Sequence, residues 1–156
     1  MKTEIFWKLF HKLIQKHIQG IFVPGYDVLT WKVNDKKNQI FFLEPGNAES
    51  FILKGIQIDQ LLPREACEQF SAYLVRMEPC QIKKPSYHKK GEELYYVVSG
   101  AGKAVLDGNN YELKEGCFFR VPSGIVHEFS TDDQSMCMLN LHSPPVFSDK
   151  DTYFVK

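Results

Sequence analysis

No stretch of this sequence stays apolar for the ~18 residues that a membrane-spanning helix needs, which argues against a helical membrane span within it. An excess of one charge is also missing. Nineteen basic residues balance nineteen acidic ones, so there is no overall field to draw nucleic acid or an anionic surface. Cysteine is sparse. Cys67, Cys80, Cys117 and Cys137 form no C-x-x-C pair and follow no signal-peptide pattern, and reduced thiols in a cytoplasmic protein are the expectation. No internal repeat is visible, so a single domain is expected rather than two in tandem.

A chain of 156 residues, 44% hydrophobic and 24% charged, has enough interior for a core and the balance of a soluble globular protein. Twelve Phe and seven Tyr suit a β-rich domain with a broad interior. The first segment differs. Phe6, Leu9, Phe10, Leu13, Ile14 and Ile18 recur at helical spacing between Thr3, a fitting N-cap, and Gly20, a fitting stop. Its other face, Lys8, Lys12, Gln15 and Lys16, is too short for nucleic acid, and the helix is expected to pack on the outside of the domain or on a second subunit.

Short strands are expected from there on, at Tyr26–Val33, Gln39–Leu43, Phe51–Ile58, Gln69–Met77, Leu94–Val98, Lys103–Leu106, Tyr111–Leu113, Cys117–Val121, Ile125–Phe129 and Met136–His142. Asp107-Gly108-Asn109-Asn110 reads as a tight hairpin turn and Pro122-Ser123-Gly124 as a sharp corner. Ser143-Pro144-Pro145 is expected to end the sheet, because proline denies ladder hydrogen bonds.

The residues that could carry chemistry lie between Ser86 and Thr131. Alternation puts Ser86 and His88 on one strand face, Glu93, Tyr95 and Val97 on another inward face, and His127 with Phe129 on a third. A sheet curled into a barrel brings such faces together, and imidazole and carboxylate donors at its centre make a metal site. The spacing His88, four residues, Glu93, six residues, Gly100 resembles the first signature motif of the cupin superfamily. Gly116, five residues, Pro122-x-Gly124, two residues, His127 resembles the second. Ser86 stands where cupins carry their first histidine, and Thr131 where many carry asparagine.

The resemblance implies an all-β fold, a double-stranded β-helix or jelly-roll barrel, with the N-terminal helix outside it. Residues 1–60 would form a helix-and-hairpin extension and residues 61–156 the barrel. It implies that His88, Glu93 and His127 hold one divalent ion, Fe, Zn, Ni or Mn, unless the pocket is metal-free. Ser86, Tyr95, Phe119 and Phe129 are the candidate ligand-binding residues, with Tyr95 serving either as a donor to ligand or as wall. Glu92 is expected to face solvent, Cys117 to fill space, and His142 to end its strand without a role. Two functions stay open. One is a sensor or binding module for a small polar organic molecule, and the other is a metal-dependent enzyme of dioxygenase, isomerase or decarboxylase type. A homodimer built on the N-terminal segments is expected, with no membrane or nucleic-acid partner.

Overall fold

The structure, a computed structural model, describes residues 40–63, 65–146 and 151–155. The expected helix from Thr3 and the strand Tyr26–Val33 lie outside the described residues. What is described is all strand and turn, in ten strands: β1 Glu49–Leu53, β2 Ile56–Gln60, β3 Ser71–Met77, β4 Ile82–His88, β5 Glu92–Leu106, β6 Asn109–Lys114, β7 Phe118–Val121, β8 His127–Ser130, β9 Met136–Ser143 and β10 Thr152–Phe154. All pairings are antiparallel, in the order β1-β2-β3-β9-β5-β8-β4-β10, with β6 and β7 also on β5. The result is the jelly roll of a cupin barrel.

Strand β5 joins the two layers. Its first part pairs with β7 and β9, and its second with β6 and β8. Ser99-Gly100-Ala101-Gly102 is therefore not the strand break that its glycines suggest. The register shifts between Val97 and Ser99, and Gly100 takes φ +79° with the Ser135 backbone where a side chain would stand. Glycine lets the strand bend from one layer to the other.

Other differences have equally local causes. Phe51–Ile58 is two strands, because Lys54 and Gly55 both adopt positive φ and turn the chain in two residues. Residues Ile40–Leu43 carry no strand. The strand expected from Ile125 starts at His127, after the Pro122–Gly124 corner. After Ser143-Pro144-Pro145 the chain returns as β10, which pairs with β4.

The core follows from alternation. Val97, Phe129 and Met138 are fully buried, and Tyr95, Met77 and Met136 nearly so. Tyr95 stacks on Phe119 at 5.1 Å between ring centroids and meets Phe129 edge-on at 4.9 Å. This aromatic block forms one wall of the polar cluster described next.

Candidate metal centre and ligand pocket

Glu93 is the hub. It lies at the start of β5, where its direct partner on β9 is His142. His88 ends β4 just across the turn, and Ser86 pairs with His127 on β8. Sheet register alone thus gathers three histidines around one carboxylate, and all four side chains are buried. Glu93 Oε1 lies 3.2 Å from His142 Nε2 and 3.4 Å from His88 Nε2, and its Oε2 lies 3.1 Å from His127 Nε2. Tyr95 donates its hydroxyl to Oε1 at 2.7 Å, and Asn140 Nδ2 donates to it at 3.4 Å. The donor atoms of His88, Glu93 and His142 lie within 4.8 Å of one another, close enough to share one ion.

The rings are held from behind. His88 Nδ1 donates to the Asp151 carbonyl at 2.7 Å, and His127 Nδ1 donates to the Ile125 carbonyl at 3.2 Å. Each bond fixes a tautomer whose Nε2 faces the centre. His142 Nε2 is in close contact with Asn140 Oδ1, and its Nδ1 has no hydrogen-bond partner.

Burial pushes His127 and His142 down to about 4, against the pull of Glu93. His88 is also opposed by burial, yet its hydrogen bond to Glu93 carries it above the ordinary value. Burial works against the Glu93 charge too, but His88 and the other imidazoles hold its carboxyl well below the usual range. Near pH 7 the centre is an anionic carboxylate facing two neutral imidazoles.

Among the described residues, two buried side-chain atoms are left over, His142 Nδ1 and Glu93 Oε2. Glu93 Oε2 is buried without a hydrogen-bond donor, and the nitrogen facing it, His127 Nε2, presents a lone pair in the tautomer that Ile125 selects, with the Ser86 hydroxyl 3.4 Å away as its donor. A cation placed beside Oε2 would satisfy it.

A cavity of about 70 Å³ opens onto this centre. Its lining includes Ser86, His88, Glu93, Tyr95, Asn140 and His142 on the polar side, and Ile56, Ile58, Val75, Val146 and Phe154 on the apolar side. Phe119 and Phe129 pack behind Tyr95 rather than in this lining, and His127 sits beneath it. Glu92 points outward to Arg120, whose Nε donates to it at 2.9 Å. Cys117 is half-buried against the core. Thr131 is a staple, donating to the Glu78 carbonyl at 2.6 Å and accepting from the Gln81 N–H at 3.0 Å.

Sequence reasoning missed two residues here. His142 fell outside both motif spacings. The signal that could have found it is the alternation Met136, Met138, Asn140, His142, which puts the polar pair on the same inward face as two core methionines. The other is Lys83, whose Nζ reaches into the cavity and donates to Ser86 Oγ at 2.8 Å.

Comparison with known proteins agrees with the fold. Residues 73–142 match the family model described as cupin domain. An uncharacterised protein of Aquifex aeolicus is 29% identical over 86 residues, which are 55% of this chain and 69% of that protein. KdgF of a Halomonas species superposes with a TM-score of 0.63 at 21% identity, over 71% of this chain and 98% of its own. A Streptomyces nucleoside dehydratase gives 0.63 at 20% identity, over 76% and 92%. Oxalate decarboxylase of Bacillus subtilis gives 0.61 at 21%, over 70% of this chain and only 30% of that one. At these identities the structural likenesses speak for the fold.

Proposed function

We propose that this member of the cupin superfamily binds a divalent metal ion and a small polar organic ligand inside its barrel, as a sensor or binding module. The observation that carries the reading is Glu93 Oε2, a buried carboxylate oxygen with no donor and an imidazole nitrogen facing it. The donor set fits. Imidazole and carboxylate ligands suit Fe, Zn, Ni or Mn, and His88, Glu93, His142 and His127 would hold the ion. When bound, it would supply a Lewis-acid contact for a ligand oxygen. The chain's own residues do the rest. Tyr95 and Asn140 fix the Glu93 carboxylate, Asp151 and Ile125 fix the ring orientations, and Ile56, Ile58 and Val75 give the cavity an apolar wall.

The association expected from the sequence belongs to the same proposal. Among the described residues, strand β1 is the end of the sheet path and exposes Phe51 and Ile52, an edge that invites a second copy. Light scattering that finds a monomer at high micromolar concentration would remove the dimer. Four free cysteines support a reducing, cytoplasmic setting.

The test is metal content after purification, then titration of chelator-treated protein with Fe(II), Zn(II), Ni(II) and Mn(II). One equivalent bound with release of a proton is expected. No binding of any of the four ions would overturn the metal reading. Turnover of a bound ligand by the loaded protein would move the reading to the metal-dependent enzyme.

A further inference from the structure

Lys83 has no task in holding the metal. Its side chain is half-buried, yet its ammonium end lies inside the barrel, against the Phe129 ring at 5.5 Å and in the cavity lining. Ser86 Oγ takes one of its three N–H donors. Glu93 and Glu128 act on it only at a distance, so no carboxylate among the described residues forms an ion pair with it.

The other charges of the lining leave the same sign unspent. Glu93 is the one acid among the lining residues, and it sits among three histidines with its Oε1 taking the Tyr95 hydroxyl. A second lysine, Lys54, stands exposed at the mouth with its Nζ over the Phe154 ring at 5.7 Å. An ammonium in a partly dehydrated cavity needs an anion, and among the described residues neither Glu93 nor Glu128 forms an ion pair with it. Apart from Ser86, Asn140 and Thr152, the rest of the wall is aliphatic and aromatic.

From this arrangement we infer that the pocket takes a small carboxylic acid with an apolar body, its carboxylate on Lys83 and its body against Ile56, Ile58, Val75 and Phe154. Size agrees. One water needs ~10–15 Å³ of such space, so a cavity of about 70 Å³ suits a small organic molecule rather than a single solvent. A single buried ammonium matches a singly charged carboxylate better than a phosphate dianion, which would call for the forked donors of an arginine that the lining lacks. The inference rests on the barrel being a ligand pocket, as proposed above, but not on the metal.

The test is calorimetric titration of the full chain, chelator-treated, with hexanoate, 3-phenylpropionate, the amide of each, and phenyl phosphate. Each acid should bind about tenfold or more tighter than its own amide. Lys83→Met should erase that difference while leaving amide binding in place. In the parent protein, the lysine ε-carbon resonance assigned to Lys83 should shift with the acids and not with the amides, which keeps the test intact if the variant fails to fold. Several results overturn the inference: no acid binding at about 10 mM, equal binding of acid and amide, phenyl phosphate binding tighter than the acids, or an acid preference that survives Lys83→Met. Metal titration of the same proteins separates the two readings. An acid preference without metal binding would keep the pocket and remove the ion. Lys83→Met should, if anything, tighten the ion, because a nearby positive charge is lost.

Discussion

Replacing His142 with alanine, alongside His127→Ala, tells which imidazoles hold the ion. His142 Nε2 and His88 Nε2 both approach Oε1 of Glu93, whereas His127 Nε2 approaches Oε2. If all three donate, each variant should lose at least the ~10–100-fold in metal affinity that a missing outer-shell partner costs. A His142→Ala protein that binds as tightly as the parent would return the site to the motif triad of His88, Glu93 and His127. Affinity should also fall with acid in a particular way. His127 and His142, at about 4, are already neutral at pH 6, while His88, raised by Glu93, must lose a proton before its Nε2 can bind an ion. Titrations between pH 6 and 8 should therefore show affinity falling toward acid with one proton exchanged per ion; an affinity flat over that range would show that His88 is not a ligand. At this scale the sequence showed His88, Glu93 and His127 through motif spacing, but not Lys83. Strand parity places Lys83 opposite Ser86, and a register shift between the two turns it inward. Such a shift leaves no mark in an alternation pattern.

Strands were easier to read than their joints. Alternation found most of β3, β7 and β9 because one face of each is buried. It failed where glycine bends a strand instead of ending it. In Gly100→Ala the new Cβ would stand 1.9 Å from the Ser135 carbonyl oxygen, at φ +79°. The loss should exceed about 1 kcal/mol in urea denaturation, and a fully stable variant would show that the crossing of β5 can relax. Strand β10 escaped the sequence because it follows two prolines and spans only Thr152–Phe154. What anchors it is Asp151, whose carboxylate accepts from the backbone N–H of Lys89, Lys90 and Gly91 at 2.9–3.1 Å. The same residue's carbonyl orients His88. Asp151→Asn keeps the carbonyl but loses the charge and an oxygen acceptor, so it should cost about 1–3 kcal/mol and weaken the ion less than His88→Ala does. Equal stability of the two proteins, measured by urea denaturation, would mean that the turn holds itself.

For the whole molecule, burying three imidazoles and a carboxylate makes stability depend on pH, with a sign that the individual shifts decide. His127 and His142 fall from an ordinary 6.5 to about 4 on folding, because burial resists their charge. Between those values the unfolded chain takes up protons that the folded chain refuses, so stability drops as pH falls from 6.5 toward 4. Glu93 acts in the same direction lower down, since its depressed carboxyl contributes above its ordinary 4.5 and that contribution is lost as pH falls through its folded value. His88 opposes them. Its raised value contributes fully below 6.5 and is lost as pH rises through the folded value. Two lowered imidazoles against one raised one leave the metal-free protein less stable at pH 5 than at pH 7, by on the order of 2 kcal/mol. Urea denaturation with chelator at the two pH values measures this, and equal or greater stability at pH 5 would show that the imidazoles are charged inside the barrel. Adding the ion should widen the gap. An ion that binds only the folded state stabilises it in proportion to the logarithm of its excess over Kd, and protons compete for the same nitrogens at pH 5. The metal-loaded protein should therefore gain more stability at pH 7 than at pH 5, whereas a purely structural histidine cluster would show the same slope with and without metal.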